Sequence, residues 1–192
     1  MTTEHSMHGN LAKILVRSQA YLALMILLLL AGMDFFFPSN YSLQAGVHGM
    51  SAIGSVVAGT YLTHRAYALI RGVHINFKSL RYWVVASTVL NFLGAVSGNW
   101  IYMRYRGEGG PKEWILANAP AFHNYMMEFK EFVTLFPFPL MAAVSFILYY
   151  YGDAIHTRSD LTQFVGIIIL VSWLFLLLGF VTGLVLAKLH FV

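Results

Sequence analysis

Five stretches of this chain contain no Asp, Glu, Lys or Arg: Ser18 to Met33, Tyr41 to Thr63, Trp83 to Met103, Phe132 to Tyr151 and Phe164 to Ala187. A helix must present roughly 20 apolar residues to cross the hydrocarbon core of a bilayer. Four of the five reach that length. The first is shorter, but Arg17 can snorkel outward at one end while Phe35, Phe36 and Phe37 extend the other. The fold class this predicts is an all-α membrane protein, a five-helix transmembrane bundle. Five such helices occupy most of the 192 residues and leave one domain.

Composition agrees. The chain is 58% hydrophobic and 10% charged, where a soluble domain carries about 25% charged residues. The formal charge of +4 comes from loop Lys and Arg residues, which form no stripe interleaved with stacking aromatics, so nothing points to nucleic acid. There is no cysteine, which excludes disulfides, iron–sulfur clusters, thiolate metal sites and c-type haem attachment. Met1 to Asn10 is polar and contains Glu4, unlike a cleavable signal peptide.

Turn signals divide the chain into helices at about 14–37, 43–70, 82–105, 120–151 and 163–188. Pro38-Ser39-Asn40 ends the first, and a basic connection, Arg71 to Arg81, follows the second. Arg106 to Lys112 is the Gly/Pro-rich loop after the third. Pro120 suits a first helical turn, and Phe136-Pro137-Phe138-Pro139 should kink the fourth helix. With the N-terminus inside, the inner loops hold Lys13, Arg17, Arg65, Arg71, Lys78, Arg81 and Arg158, against Arg104, Arg106, Lys112 and Lys188 outside. That bias predicts a multi-pass protein of the cytoplasmic (inner) membrane with its N-terminus cytoplasmic.

The second helix holds His48 and His64 near opposite ends, roughly 24 Å apart in helix rise. Ala52, Ser55, Gly59 and Ala66 lie within about 40° of His48 and form a groove of small side chains below it. Such a stripe serves close helix packing, or it seats a flat macrocycle with His48 as axial ligand. His123, in the first turn of the fourth helix, begins on the same side of the membrane and is the natural partner across a b-type haem near the outer face. The bland alternative is that both are interfacial histidines bonded to loops. A second, inner haem would need His64 to pair with His74 or His156, which sit in loops. His5, His8 and His190 are terminal.

Glu128, Lys130 and Glu131 follow His123 within about two turns. Ionisable groups at the edge of a membrane helix need partners or water. Two neighbouring carboxylates beside a redox centre can take protons released when a quinol is oxidised. They serve equally as a solvated turn held by Glu–Lys pairs, and a metal site of His123, Glu128 and Glu131 is a third alternative. Arg104, with Tyr105 and Arg106, closes the third helix on the same side, where it could meet haem propionates or those carboxylates. Gly94 with Gly98, and Gly179 with Gly183, have the spacing of helix-packing glycines. Asp34 receives no role.

In helix number and histidine placement the chain resembles the membrane b-type cytochrome subunits that anchor respiratory oxidoreductases. The resemblance implies haem b held by His48 and His123, one haem where many such anchors carry two, with His64 the next candidate ligand. It also implies a quinone site with Glu128, Lys130 and Glu131 handling protons, and partner subunits in a redox complex. No family-specific motif accompanies it. The alternatives are a cofactor-free accessory subunit of a membrane complex and a small ion-coupled transporter. The transporter is weakened by the absence of inverted repeats.

Overall fold

The computed structural model describes residues 2–36 and 41–189. The Pro38-Ser39-Asn40 turn and His190 lie outside the described residues, as do the side chains of His5 and His8. Among the described residues the structure is helical apart from short connections, with no strand. Helix α1 spans Thr2–Phe36, α2 Tyr41–Ile70 and α3 Phe77–Tyr105. A short α4, Pro111–Asn118, is followed by a π-helical turn at Phe122–Met127, then α5 at Glu128–Thr134 and α6 at Pro137–Tyr150. A 3₁₀ turn at Gly152–Thr157 leads into α7, Ser159–Leu189.

Four segments are long and apolar enough to cross a membrane: Lys13–Phe36, Phe77–Tyr105, Phe122–Tyr150 and Ser159–Leu189. Helix α2 is as long, at 30 residues, but its glycines, serines, threonines and histidines leave it less apolar than the other four. It nevertheless sits inside the bundle. Helices α2, α3, α6 and α7 form a closed ring in which α2 touches α3 and α7, and α6 touches the same two. Helix α1 lies outside the ring, against α3 and α6.

Local chemistry explains the boundaries. Helix α2 ends in a Schellman motif: Gly72 takes φ +68°, and the Val73 and Gly72 amides donate to the carbonyls of Ala68 and Leu69 at 2.9 and 3.0 Å. Asn76 then caps α3 by accepting from the Ser79 amide at 3.1 Å, so α3 begins at Phe77, earlier than the expected Tyr82. Helix α1 likewise starts at Thr2, well before Ile14. The largest departure is the fourth helix, which is not one kinked rod. Pro137 has no N–H for the Val133 carbonyl, so the Phe136 amide reaches it instead at 3.4 Å and the helix restarts at Pro137. The loop before it also holds the unforeseen α4, which opens on Pro111 at its first position.

Small residues let the ring close. A Cβ placed on Gly59 of α2 would stand 2.9 Å from Cδ1 of Trp173 on α7. One placed on Gly166 of α7 would stand 2.9 Å from the Ala66 carbonyl oxygen. The apolar core, including Leu62, Leu69, Leu80, Val84, Met141, Leu148, Val165 and Ile169, fills the half of the ring nearest the C-terminal end of α2. Toward the other end the buried positions turn polar: Gln44, Ser51, Ser55, Asn91, Ser97 and His123.

Gly166→Ala should therefore destabilise the bundle more than Gly59→Ala. The added methyl at 166 meets backbone, whereas at 59 it meets the edge of a side chain. Costs of about 1–3 kcal/mol are expected for overpacking, read as thermal unfolding in detergent. Equal, negligible losses would show that α2 and α7 are not packed this closely.

Candidate functional site

The polar end of the ring gathers His48 from α2, the C-terminal turns of α3, and the segment from His123 to Glu131. His48 Nδ1 lies 3.0 Å from the Gly94 carbonyl and 3.4 Å from Ser97 Oγ. A carbonyl only accepts, so Nδ1 carries the hydrogen and Nε2 keeps its lone pair. The ring fits because residue 98 is glycine: a Cβ there would stand 2.9 Å from His48 Cε1. Lys130 of α5 is near enough to act on His48 electrostatically. Its stem crosses Gly183 of α7, where a Cβ would be 3.3 Å from Cε. Gly94/Gly98 and Gly179/Gly183 thus serve packing, and two of them make room for ionisable side chains.

His123 is 6% exposed and sits in the π-helical turn, a local widening that often marks functional positions. Its Nδ1 is 3.1 Å from the Tyr105 hydroxyl. Tyr105 stacks on Tyr102, ring centroids 5.3 Å apart, and the Arg106 guanidinium lies 4.9 Å above the Tyr102 ring. The Tyr102 hydroxyl faces the Glu131 carboxylate, although no hydrogen bond of normal geometry joins the buried hydroxyl to the buried Glu131 Oε1. Glu131 and Lys130 are half-buried, and Glu128 is exposed.

Several sequence expectations change. His48 and His123 do lie at one end, each held through Nδ1 by α3. They meet α3 at different levels, however: the His48 ring lies against Gly98 and His123 bonds Tyr105, seven residues or roughly 10 Å of helix rise further along. The small-residue groove of α2 is not open either, because Trp173 and Leu176 of α7 fill it at Gly59 and Trp173 Nε1 donates to Thr60 Oγ1 at 3.3 Å. His64 is exposed on the outside of α2, apart from His74 and His156, which stack on each other. Among the described residues no three His, Asp or Glu side chains are grouped to hold a metal ion, so His123, Glu128 and Glu131 are not such a cluster.

Arg104 of α3 turns toward α1. It pairs with Asp34 of α1, and Gln44 of α2 donates to the same carboxylate at 2.8 Å. Asp34, which sequence reasoning left without a role, therefore ties three helices together. Its position near the end of a charge-free stretch was the signal. Nothing in the order of residues names Arg104, 70 positions away, as its partner.

Comparison with protein-family models, with curated proteins and with solved structures finds no match.

The two tyrosines offer a contrast. Tyr105→Phe removes the partner of a buried imidazole nitrogen and should cost about 1–3 kcal/mol. Tyr102→Phe removes a hydroxyl that only faces the Glu131 carboxylate, without a bond of normal geometry, and should cost less. Thermal unfolding of the two variants side by side checks this, and the reverse order would contradict the hydrogen bonding described here.

Proposed function

We propose that the chain is a membrane electron-transfer subunit of a larger oxidoreductase complex, with haem b at the polar end of the bundle and quinone as its exchange partner. In this reading five helices cross the bilayer, N-terminus in the cytoplasm and the polar end outside. The fifth crossing is α2. It lies between the spans α3 and α7, and at 30 residues, roughly 45 Å of rise, it exceeds the hydrocarbon thickness. Reporter fusions at Gly109 and Arg158 should then fall on opposite sides of the membrane, with Gly109 outside. Finding both on one side would remove the fourth crossing, and finding Gly109 on the same side as the N-terminus would show that α2 does not cross and sink the five-helix count.

The observation that carries the redox reading is the orientation of His48. A ligating imidazole usually donates its other ring N–H to a carbonyl or carboxylate, which fixes the tautomer and raises basicity. His48 does this toward Gly94, and His123 is held through the same nitrogen by Tyr105. The donor atoms fit haem iron. The filled α2 groove does not fit the macrocycle, so no step is placed there. Bound haem would supply one-electron transfer. The chain's own residues would handle the protons: Glu131, half-buried beside Tyr102 and Lys130, accepts one at its carboxylate, and exposed Glu128 passes it to water.

One observation favours a second reading, a cofactor-free accessory subunit. Trp173 and Leu176 already fill the surface on which a macrocycle would lie. A reduced-minus-oxidised absorption spectrum of the purified protein separates the two. With haem present, His48→Ala or His123→Ala should lose it or alter its spectrum, while Glu131→Gln should keep the spectrum and slow quinol turnover. A protein without haem absorption would overturn the redox reading. Haem that survives both histidine changes would leave the class standing and remove these ligands.

A further inference from the structure

The opposite end of the ring carries chemistry that electron transfer does not use. Between the start of α3 and the 3₁₀ turn lies an open pocket of about 680 Å³, its polar lining formed by His74, Asn76, Lys78, Arg81, Asp153 and His156. The pocket stands where two membrane-length segments begin, at Phe77 and Ser159, and a third ends, at Tyr150. That is the depth of lipid headgroups.

The lining is rich in donors and poor in acceptors. Lys78 and Arg81 lie in the first turns of α3, where the helix end adds partial positive charge. The His74 and His156 rings stack with centroids 5.8 Å apart, and His156 rests on Phe77 at 4.2 Å. Against these stands one carboxylate. Asp153 meets Arg81 at 3.2 Å, but its side chain is 91% exposed, whereas that of Arg81 is 22% exposed. The Arg81 Nε–H is buried and has no hydrogen-bond partner. A guanidinium fork held this way by one loose acceptor is suited to a ligand with several acceptor oxygens.

We propose that this pocket binds the phosphate of an anionic lipid headgroup, with Arg81 and Lys78 as the charged donors and the His74–His156 pair completing the rim. Basic pockets between membrane helices bind such headgroups by this chemistry. Asp153 is the placeholder: its carboxylate occupies Arg81 until phosphate displaces it into solvent. The site is independent of any haem at the other end.

The test uses the full-length protein in detergent, titrated with phosphatidic acid, with phosphatidylcholine of the same chain length, and with inorganic phosphate. Bound molecules are counted by native mass spectrometry. Saturable binding of phosphatidic acid is expected at concentrations where the other two do not bind. Lys78→Gln and Arg81→Gln should each weaken it by roughly fivefold, and Asp153→Asn should tighten it. If Arg81→Gln fails to fold, Lys78→Gln and Asp153→Asn still decide, since both alter exposed side chains. Equal retention of phosphatidylcholine would overturn the proposal, and inorganic phosphate binding as tightly as the lipid would overturn the lipid assignment. So would an Asp153→Asn variant that binds more weakly than the unaltered protein.

Discussion

A helix in lipid satisfies its own backbone, but its polar side chains still need protein around them. Helix α2 is where that requirement bears hardest. It carries Gln44, His48, Ser51 and Ser55 on faces that the more apolar helices must cover, and it can be covered closely only because Gly59, Ala66 and the facing Gly94, Gly98 and Gly166 keep the backbones near one another. The α2–α3 and α2–α7 contacts follow from this, and α6 closes the ring on the far side. Helix α1 meets α2's polar residues only at Gln44 among the contacts described and is left at the periphery, attached at one end through the Asp34, Arg104 and Gln44 network.

The ring is chemically graded along its length. Near the C-terminal end of α2 the interior is apolar and tightly filled, which is where dispersion and close packing hold a bundle that gains little from burial relative to lipid. Toward the N-terminal end of α2 the interior becomes hydroxyls, imidazoles and an ammonium. Groups of that kind are expensive at membrane depth unless each is paired. Several are: His48 on Gly94, His123 on Tyr105, Ser51 on the His48 carbonyl at 2.9 Å. Among the described residues, Gln44 Oε1, Ser55 Oγ and Asn91 Oδ1 have no partner, nor do the Tyr102 hydroxyl and Glu131 Oε1, which lie beside each other.

The fourth membrane segment shows how two local defects position side chains. The π-helical turn at Phe122–Met127 widens the helix just where His123 turns inward, and the break before Pro137 lets α6 set out again toward α3 and α7. A straight α-helix from Pro120 would carry Glu131 and His123 at phases fixed by 3.6 residues per turn. With the wider turn between them, both reach the interior, His123 against Tyr105 and Glu131 beside Tyr102.

What the sequence determined by itself is what depends on local composition. Charge-free runs of membrane length required helices, the Pro137 run required a disturbance of the fourth, and the spaced glycines of α3 and α7 marked packing faces, whereas the caps at Gly72 and Asn76 were not foreseen. His48, His123 and Glu131 could be placed at one end because helix rise and connectivity fix depth. Tertiary structure decided which helix fills the α2 groove, that Arg104 answers Asp34, and that His48 and His123 hang from α3 at different levels. These choices depend on the rotation of each helix about its axis and on partners far away in the chain. Helical periodicity leaves rotation open until the small residues of one helix meet the large ones of another, as Gly59 meets Trp173.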